Sequence, residues 1–221
     1  IFMIDILKKT DLFAGLCDDE IESMLKCLRA KAVNYEKDEF IFFAGKTKPA
    51  VGIIIAGTAQ VIKENYYGDL LIMHNLHEAD MFGEVYAGME ADRVPVSVVA
   101  LSPCRVLLLD LKNILGTCHS ACSFHQRLIL NLMKHVAEKS ALLSEQMSYL
   151  SHKTIRARLE AYLHEQATKA GSHSFKIPFN KSELAQYLCV DRAAMQRELG
   201  KMKTEGLLSY DKNTFRLPEK V

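Results

Sequence analysis

Apolar positions change period twice along the chain. Up to residue 30 the spacing is helical: Ile21, Met24, Leu25 and Leu28 share one face of a predicted helix, which Cys17 or Asp18 caps after a turn at Ala14-Gly15. From Val33 to Asp110 the pattern turns to short β-rich runs: Glu39–Phe43, Val51–Ala56, Ala59–Lys63, Leu70–Asn75, Val94–Leu101 and Val106–Leu109. Glycines at 45, 57, 68 and 83 punctuate them where turns need positive φ. Many short strands without a long intervening helix describe an antiparallel roll or barrel. After Asp110 the helical period returns. Ile129, Val136, Leu143 and Leu150 recur every seven residues, flanked by Leu132, Met133 and Met147, while Lys139 and Gln146 interrupt the companion positions. A seven-residue seam of this kind predicts a helix facing a partner helix, so a homodimer is expected; a helix packed on its own domain is the alternative.

The last third is read as a helix over His152–Ala167, a loop at Lys169–His173 and a short strand at Phe175–Pro178. Asn180 or Ser182 then caps a helix with Leu184, Ala185 and Leu188 inward. Cys189-Val190-Asp191 breaks it. A second helix follows, with Ala194, Met195, Leu199 and Met202 inward and Arg192, Gln196, Arg197, Lys201 and Lys203 outward. Two short helices about a tight turn form a helix-turn-helix, although Cys189 stands where glycine is usual. Leu207–Tyr210 and Thr214–Leu217 read as a hairpin, which makes the unit a winged helix. The fold class is therefore α+β: an N-terminal antiparallel β-roll over residues 1–120, a dimerisation helix over 121–150 and a winged helix-turn-helix over 151–221.

Charge sharpens this division. Residues 1–149 carry a net −4 and residues 150–221 a net +5 within a chain of +1 overall. The basic third is where a polyanion is expected to bind. In it, Arg192, Gln196 and Arg197 are assigned to base edges and Ser182 and Lys201 to phosphates. No apolar run approaches the ~20 residues of a membrane span, and Ile1–Thr10, with Asp5, Lys8 and Lys9, lacks a signal-peptide layout. Six scattered cysteines read as reduced thiols of a cytoplasmic protein. The sequence has no GxSxG, Walker A, GxGxxG or HExxH motif, and a Cys118–His125 nucleophile pair lacks an orienting partner, so no enzyme is expected.

The order of elements resembles the Crp/Fnr family of bacterial transcription regulators over essentially the whole chain. The resemblance rests on Asp11-Leu-Phe-Ala-Gly-Leu16, on Gly45, Gly57, Gly68 and Phe82-Gly83-Glu84, and on Ser182-Glu-Leu-Ala185 through Arg197-Glu-Leu199. It implies a cyclic-nucleotide-binding-like roll, a homodimer, a two-fold symmetric double-stranded DNA site and RNA polymerase as a partner. In nucleotide-binding members an Arg followed by Ser or Thr stands eleven residues after the Gly of Gly-Glu. Here Val94-Pro95 occupies that place and Arg93 falls one position early, onto the opposite strand face. Cyclic AMP is therefore not the expected signal. An effector pocket is still assigned to Gly83, Glu84, Arg93, Val94 and Pro95 against the seam helix, for an anionic or apolar small molecule. Its alternative is a roll filled by side chains such as Tyr86 and Met89.

Cys17 and Cys27 are too few for the family's iron–sulfur cluster, and His74 or His77 is a candidate haem ligand. Cys118, Cys122 and His125 fall at i, i+4 and i+7, a candidate metal or redox face on a helix. No resident cofactor is assigned. A β-roll module acting on a protein partner is the rival to a DNA-binding regulator; such a module needs no arginine at the start of the second helix.

Overall fold

The computed structural model describes residues 2–68, 70–89, 91–115 and 123–218. The chain divides into two compact units, Ile1–Ala137 and Glu138–Val221.

The first unit opens with α1 (Phe2–Leu7), a 3-10 turn (Asp11–Phe13) and α2 (Asp18–Cys27). Cys17 is the residue that precedes α2, and its N–H donates to Glu20 Oε2 at 2.8 Å. Eight strands follow in two antiparallel sheets. One orders β1 (Lys31–Tyr35), β8 (Cys104–Leu109), β3 (Val51–Ala56) and β6 (Met81–Phe82); the other orders β2 (Phe40–Phe42), β7 (Ser97–Ala100), β4 (Ala59–Glu64) and β5 (Leu70–Leu76). β1 and β6 were not read from the sequence. β1 has no buried position, with Val33 and Tyr35 half-buried and the other three exposed, so it lacks an apolar signature.

Two apolar clusters fill this unit. Ile21, Leu12, Phe13, Ile53 and Leu107 belong to one, joined by Leu128 and Leu132 of the long helix described below. Ile54, Phe42, Phe82, Val94, Val98 and Val106 belong to the other, inside the roll. Gly83 (φ +82°) ends β6 and precedes α3 (Glu84–Gly88). A Cβ there would run into the Ala50 carbonyl oxygen and the Phe42 ring, so both backbone conformation and space demand glycine.

α4 (Leu111–Leu115) precedes α5 (Ser123–Leu150), whose 28 residues run across the boundary between the units. Leu132 is buried within the first unit, whereas Val136 is 40% and Leu143 61% exposed, and Met133 and Met147 are 65% and 71% exposed. The stripe therefore reads Ile129, Met133, Val136, Ser140, Leu143, Met147, Leu150, with alternate steps of four and three; its five middle residues are exposed and its two ends half-buried. Leu132 and Gln146 are not companions of the seam. Leu132 serves the core, and Gln146 Nε2 donates to the Tyr187 carbonyl at 2.8 Å. That accounts for the polar residue at position 146.

The second unit carries α6 (Ile155–Ala170), β9 (Ser174–Lys176), α7 (Lys181–Tyr187), α8 (Arg192–Thr204), β10 (Ser209–Asp211) and β11 (Thr214–Arg216). α6 begins at Ile155 rather than His152, because Thr154 caps it by accepting from the Ala157 N–H at 3.1 Å. The wing is a three-stranded sheet, β10-β11-β9, in which Phe175 pairs with Phe215.

Candidate nucleic-acid interface

Asn180, not Ser182, caps α7. The Asn180 side chain accepts from the Ser182 and Glu183 N–H groups at 2.8 and 3.0 Å, and Glu183 Oε2 returns a bond to the Asn180 N–H at 2.8 Å. This reciprocal cap satisfies three N–H groups at once. Ser182 is left exposed within the first turn.

Leu184 and Leu188 pack inward, and the chain reverses at Cys189, whose φ is +50°. Cysteine thus occupies the left-handed conformation that a glycine adopts freely. Arg158 supports the turn: its Nη1 donates to the Leu188 carbonyl at 3.0 Å. Asp191 then caps α8 by accepting from the Ala194 N–H at 2.8 Å.

Met195, Leu199 and Met202 bury one side of α8. The opposite side carries Arg192, Gln196 and Arg197, all exposed, as the spacing predicts. Among the described residues, none of these three is drawn into an ion pair. Glu198, the one carboxylate on α8, is held elsewhere: Arg156 Nε donates to it at 2.6 Å. The same guanidinium grips Glu205 with two bonds of 2.7 and 2.9 Å. Each charge raises or lowers the other's pKa in the expected sense, with Arg156 pushed up chiefly by Glu205 and Glu205 pulled down by Arg156. The acids of this region are thereby neutralised on the α6 side, and the outward face of α8 keeps its positive charge. Lys201 is exposed and stands 3.8 Å from Glu198.

An exposed, cationic helix seated on a second helix and flanked by a hairpin is the arrangement that reads a major groove. The sequence agrees with it. Residues 157–220 match the family profile "Crp-like helix-turn-helix domain", and residues 32–120 match "Cyclic nucleotide-binding domain". The chain belongs to the Crp/Fnr family. It is 30% identical over 104 residues to "Probable transcriptional regulator flp" of Lacticaseibacillus casei, covering 44% of this chain and 48% of that one. The chain thus spans about half the length of that curated relative. The catabolite activator protein of Thermus thermophilus superposes with a TM-score of 0.51 at 21% identity, over 95% of this chain and 94% of the other. The c-di-GMP-responsive global regulator CLP of Xanthomonas campestris gives 0.57 at 18% identity, over 92% and 100%. At these identities the structures establish the fold.

The strand expected over Val94–Leu101 is shorter, since β7 begins only at Ser97, and Arg93, Val94 and Pro95 lie in an irregular segment before it. Val94 is fully buried in the apolar cluster with Phe42 and Phe82, while Arg93 and Pro95 are exposed. Arg93 Nη1 donates to the Lys46 carbonyl at 2.7 Å and so braces a surface loop. Glu84 is 4% exposed, and its Oε1 lies 3.8 Å from Nε2 of His135 on α5. His135 Nδ1 lies 2.8 Å from Asp11 Oδ2. The residues assigned to one effector pocket therefore separate: Val94 belongs to the core, Glu84 looks toward α5, and Arg93 and Pro95 face outward. The Asp11–His135–Glu84 alignment was not visible in the sequence, because its members are 124 and 51 positions apart.

His74 and His77 are exposed, on β5 and in the turn after it. His125 is 6% exposed, with Nε2 2.9 Å from the Asn113 carbonyl oxygen. Cys118 and Cys122 lie outside the described residues. Among those described, no three His, Cys, Asp or Glu side chains come together as metal ligands, and no helix is long and apolar enough to cross a membrane.

Proposed function

We propose that this chain is a cytoplasmic, homodimeric transcription regulator that reads a two-fold symmetric DNA site and answers to a signal other than cyclic AMP. The observation that carries the reading is the outward face of α8: Arg192, Gln196 and Arg197 are exposed, and the one carboxylate of that helix, Glu198, is held by Arg156. Arginine matches O6 and N7 of guanine, and glutamine matches N6 and N7 of adenine. Ala193 follows Arg192 where the family commonly has an acid, so a cytosine contact is missing and the preferred site differs from the usual family consensus.

The apolar stripe on α5 supports the dimer. Two readers related by a two-fold axis engage half-sites about 34 Å apart. RNA polymerase is the partner that the family's activity implies. The buried Val94 argues against a cyclic nucleotide, since the phosphate would meet a methyl-lined wall instead of a guanidinium. Selection from random duplex DNA tests the reading. The expected result is an inverted repeat, and a chain that enriches no motif overturns it.

A further inference from the structure

A cleft of about 550 Å³ lies in the reader unit, lined by Asn180, Lys181, Gln196, Tyr210, Lys212 and Asn213, with Leu199 at its base. Lys181 is its unusual member. Its Nζ is buried and has no hydrogen-bond partner. It sits 4.2 Å from the centroid of the Tyr210 ring and 4.0 Å from that of Phe215. An ammonium has three donors, and leaving all three unmade in an apolar site is costly. The two ring faces offset part of that cost. They do not restore hydration, and burial pushes the Lys181 ammonium down to about 8.

Of the ionisable groups on α7, α8 and the wing, Lys181, Tyr210 and Lys212 line the cleft; Glu183, Tyr187, Arg192, Arg197, Glu198, Lys201, Lys203, Lys176, Asp211 and Arg216 are outside its lining. Lys203 Nζ stands 5.3 Å from the Tyr210 ring, and no carboxylate lines the cleft. The cleft thus presents amides and two ammonium groups with no acceptor of negative charge. It also shares Gln196 with the base-facing side of α8, so whatever fills it lies beside the bound duplex.

We propose that this cleft seats a phosphate of the DNA backbone, held by Lys181 swinging out from between Tyr210 and Phe215, and that binding carries a proton into the reader. The inference rests on the DNA-binding reading above. A phosphate supplies the missing acceptor and a full negative charge, which returns the amine to its ordinary range near ~10.4. The sign follows. DNA selects the protonated amine, so affinity is full below pH 7 and falls as pH rises through the free reader's value of about 8. Between pH 7 and pH 9 the loss is about tenfold for each reader bound. Near pH 8.5 the uptake is about 0.7 proton per reader.

The test is fluorescence anisotropy of full-length protein on its selected duplex from pH 7 to pH 9, with calorimetry in two buffers of different ionisation enthalpy to count protons. The parent should lose about tenfold per reader. Lys181→Arg keeps a charge at every pH and should bind without that decline. Lys181→Met should bind more weakly at pH 7, reduce the salt slope by about one per reader, and also show no decline. Thermal midpoints of both variants check that each is folded; if Arg does not fit between the rings, Met alone decides. A parent that loses less than about twofold, or a Lys181→Met variant that keeps the parental pH dependence, overturns the site while leaving the DNA reading intact. A chain that binds no duplex overturns both. Replacing chloride with inorganic phosphate at equal ionic strength separates the sources: proton uptake on adding duplex should persist, and its disappearance shows that a free anion, not the backbone, holds Lys181.

Discussion

Replacing both Val136 and Leu143 by Asp should convert the protein to monomers. The two side chains are 40% and 61% exposed in the single chain. Full burial of such a side chain is worth ~1.5–3 kcal/mol, so covering what remains stabilises a dimer by about 2 kcal/mol per chain and about 4 kcal/mol in all. Met133 and Met147, at 65% and 71%, add a similar amount. The stripe therefore supplies on the order of 8–10 kcal/mol against an association cost of ~4–15 kcal/mol. Losing about half of it, with four carboxylates brought together, raises the dissociation constant by at least about a thousandfold. Because neither residue is in the core of the single chain, each protomer should stay folded, which the thermal midpoint of the monomer checks. Sedimentation equilibrium at micromolar concentration is the assay. An unchanged dimer places the interface elsewhere and refutes the stripe.

Three further outcomes are expected. Arg197→Ala should cost ~1–3 kcal/mol on the selected site and flatten preference at one base pair per half-site, whereas Lys201→Ala should weaken all sequences alike and lower the salt slope by about one; an unchanged motif for Arg197→Ala contradicts its assignment. Titration calorimetry with cyclic AMP should give no micromolar isotherm, and a saturable one would require Val94 to leave the core. Cys189→Gly should leave the melting temperature equal or higher, since relief of the left-handed conformation (~1–2 kcal/mol) meets a smaller loss in the unfolded chain, while Cys189→Val should lower it; the reverse order would show that the φ of +50° carries no strain.

What the sequence made legible follows from period and caps. α8 reads correctly because Met195, Leu199 and Met202 keep helical spacing and Asp191 is a strong cap. The departure at Val94 is legible as a missing Arg-Ser pair, although residues 93–95 lie before β7 begins at Ser97 and the expected strand alternation does not apply to them. The seam was half read. Its seven-residue repeat is plain in the chain, but sequence spacing cannot tell Leu132 from Met133, and only the fold reveals that the first is consumed by the core. The Lys181 cleft was illegible for a related reason. Lysine at the start of a helix looks like a solvated charge until the wing folds Tyr210 and Phe215 over it.

The contrast between the two units bears on where a signal acts. The roll interior is closed by Phe42, Phe82, Val94 and Val98, and entry of a ligand there would displace side chains that already pack at native density. The buried polar group assigned to that pocket, Glu84, is turned toward α5, where His135 stands between it and Asp11. The Glu84–His135 separation of 3.8 Å is too long for a hydrogen bond, while His135 to Asp11 at 2.8 Å is not. The imidazole is thus committed to the N-terminal segment and merely adjacent to the roll. Glu84 thus sits beside, but is not bonded to, the ring on α5, the helix that also carries the exposed apolar stripe.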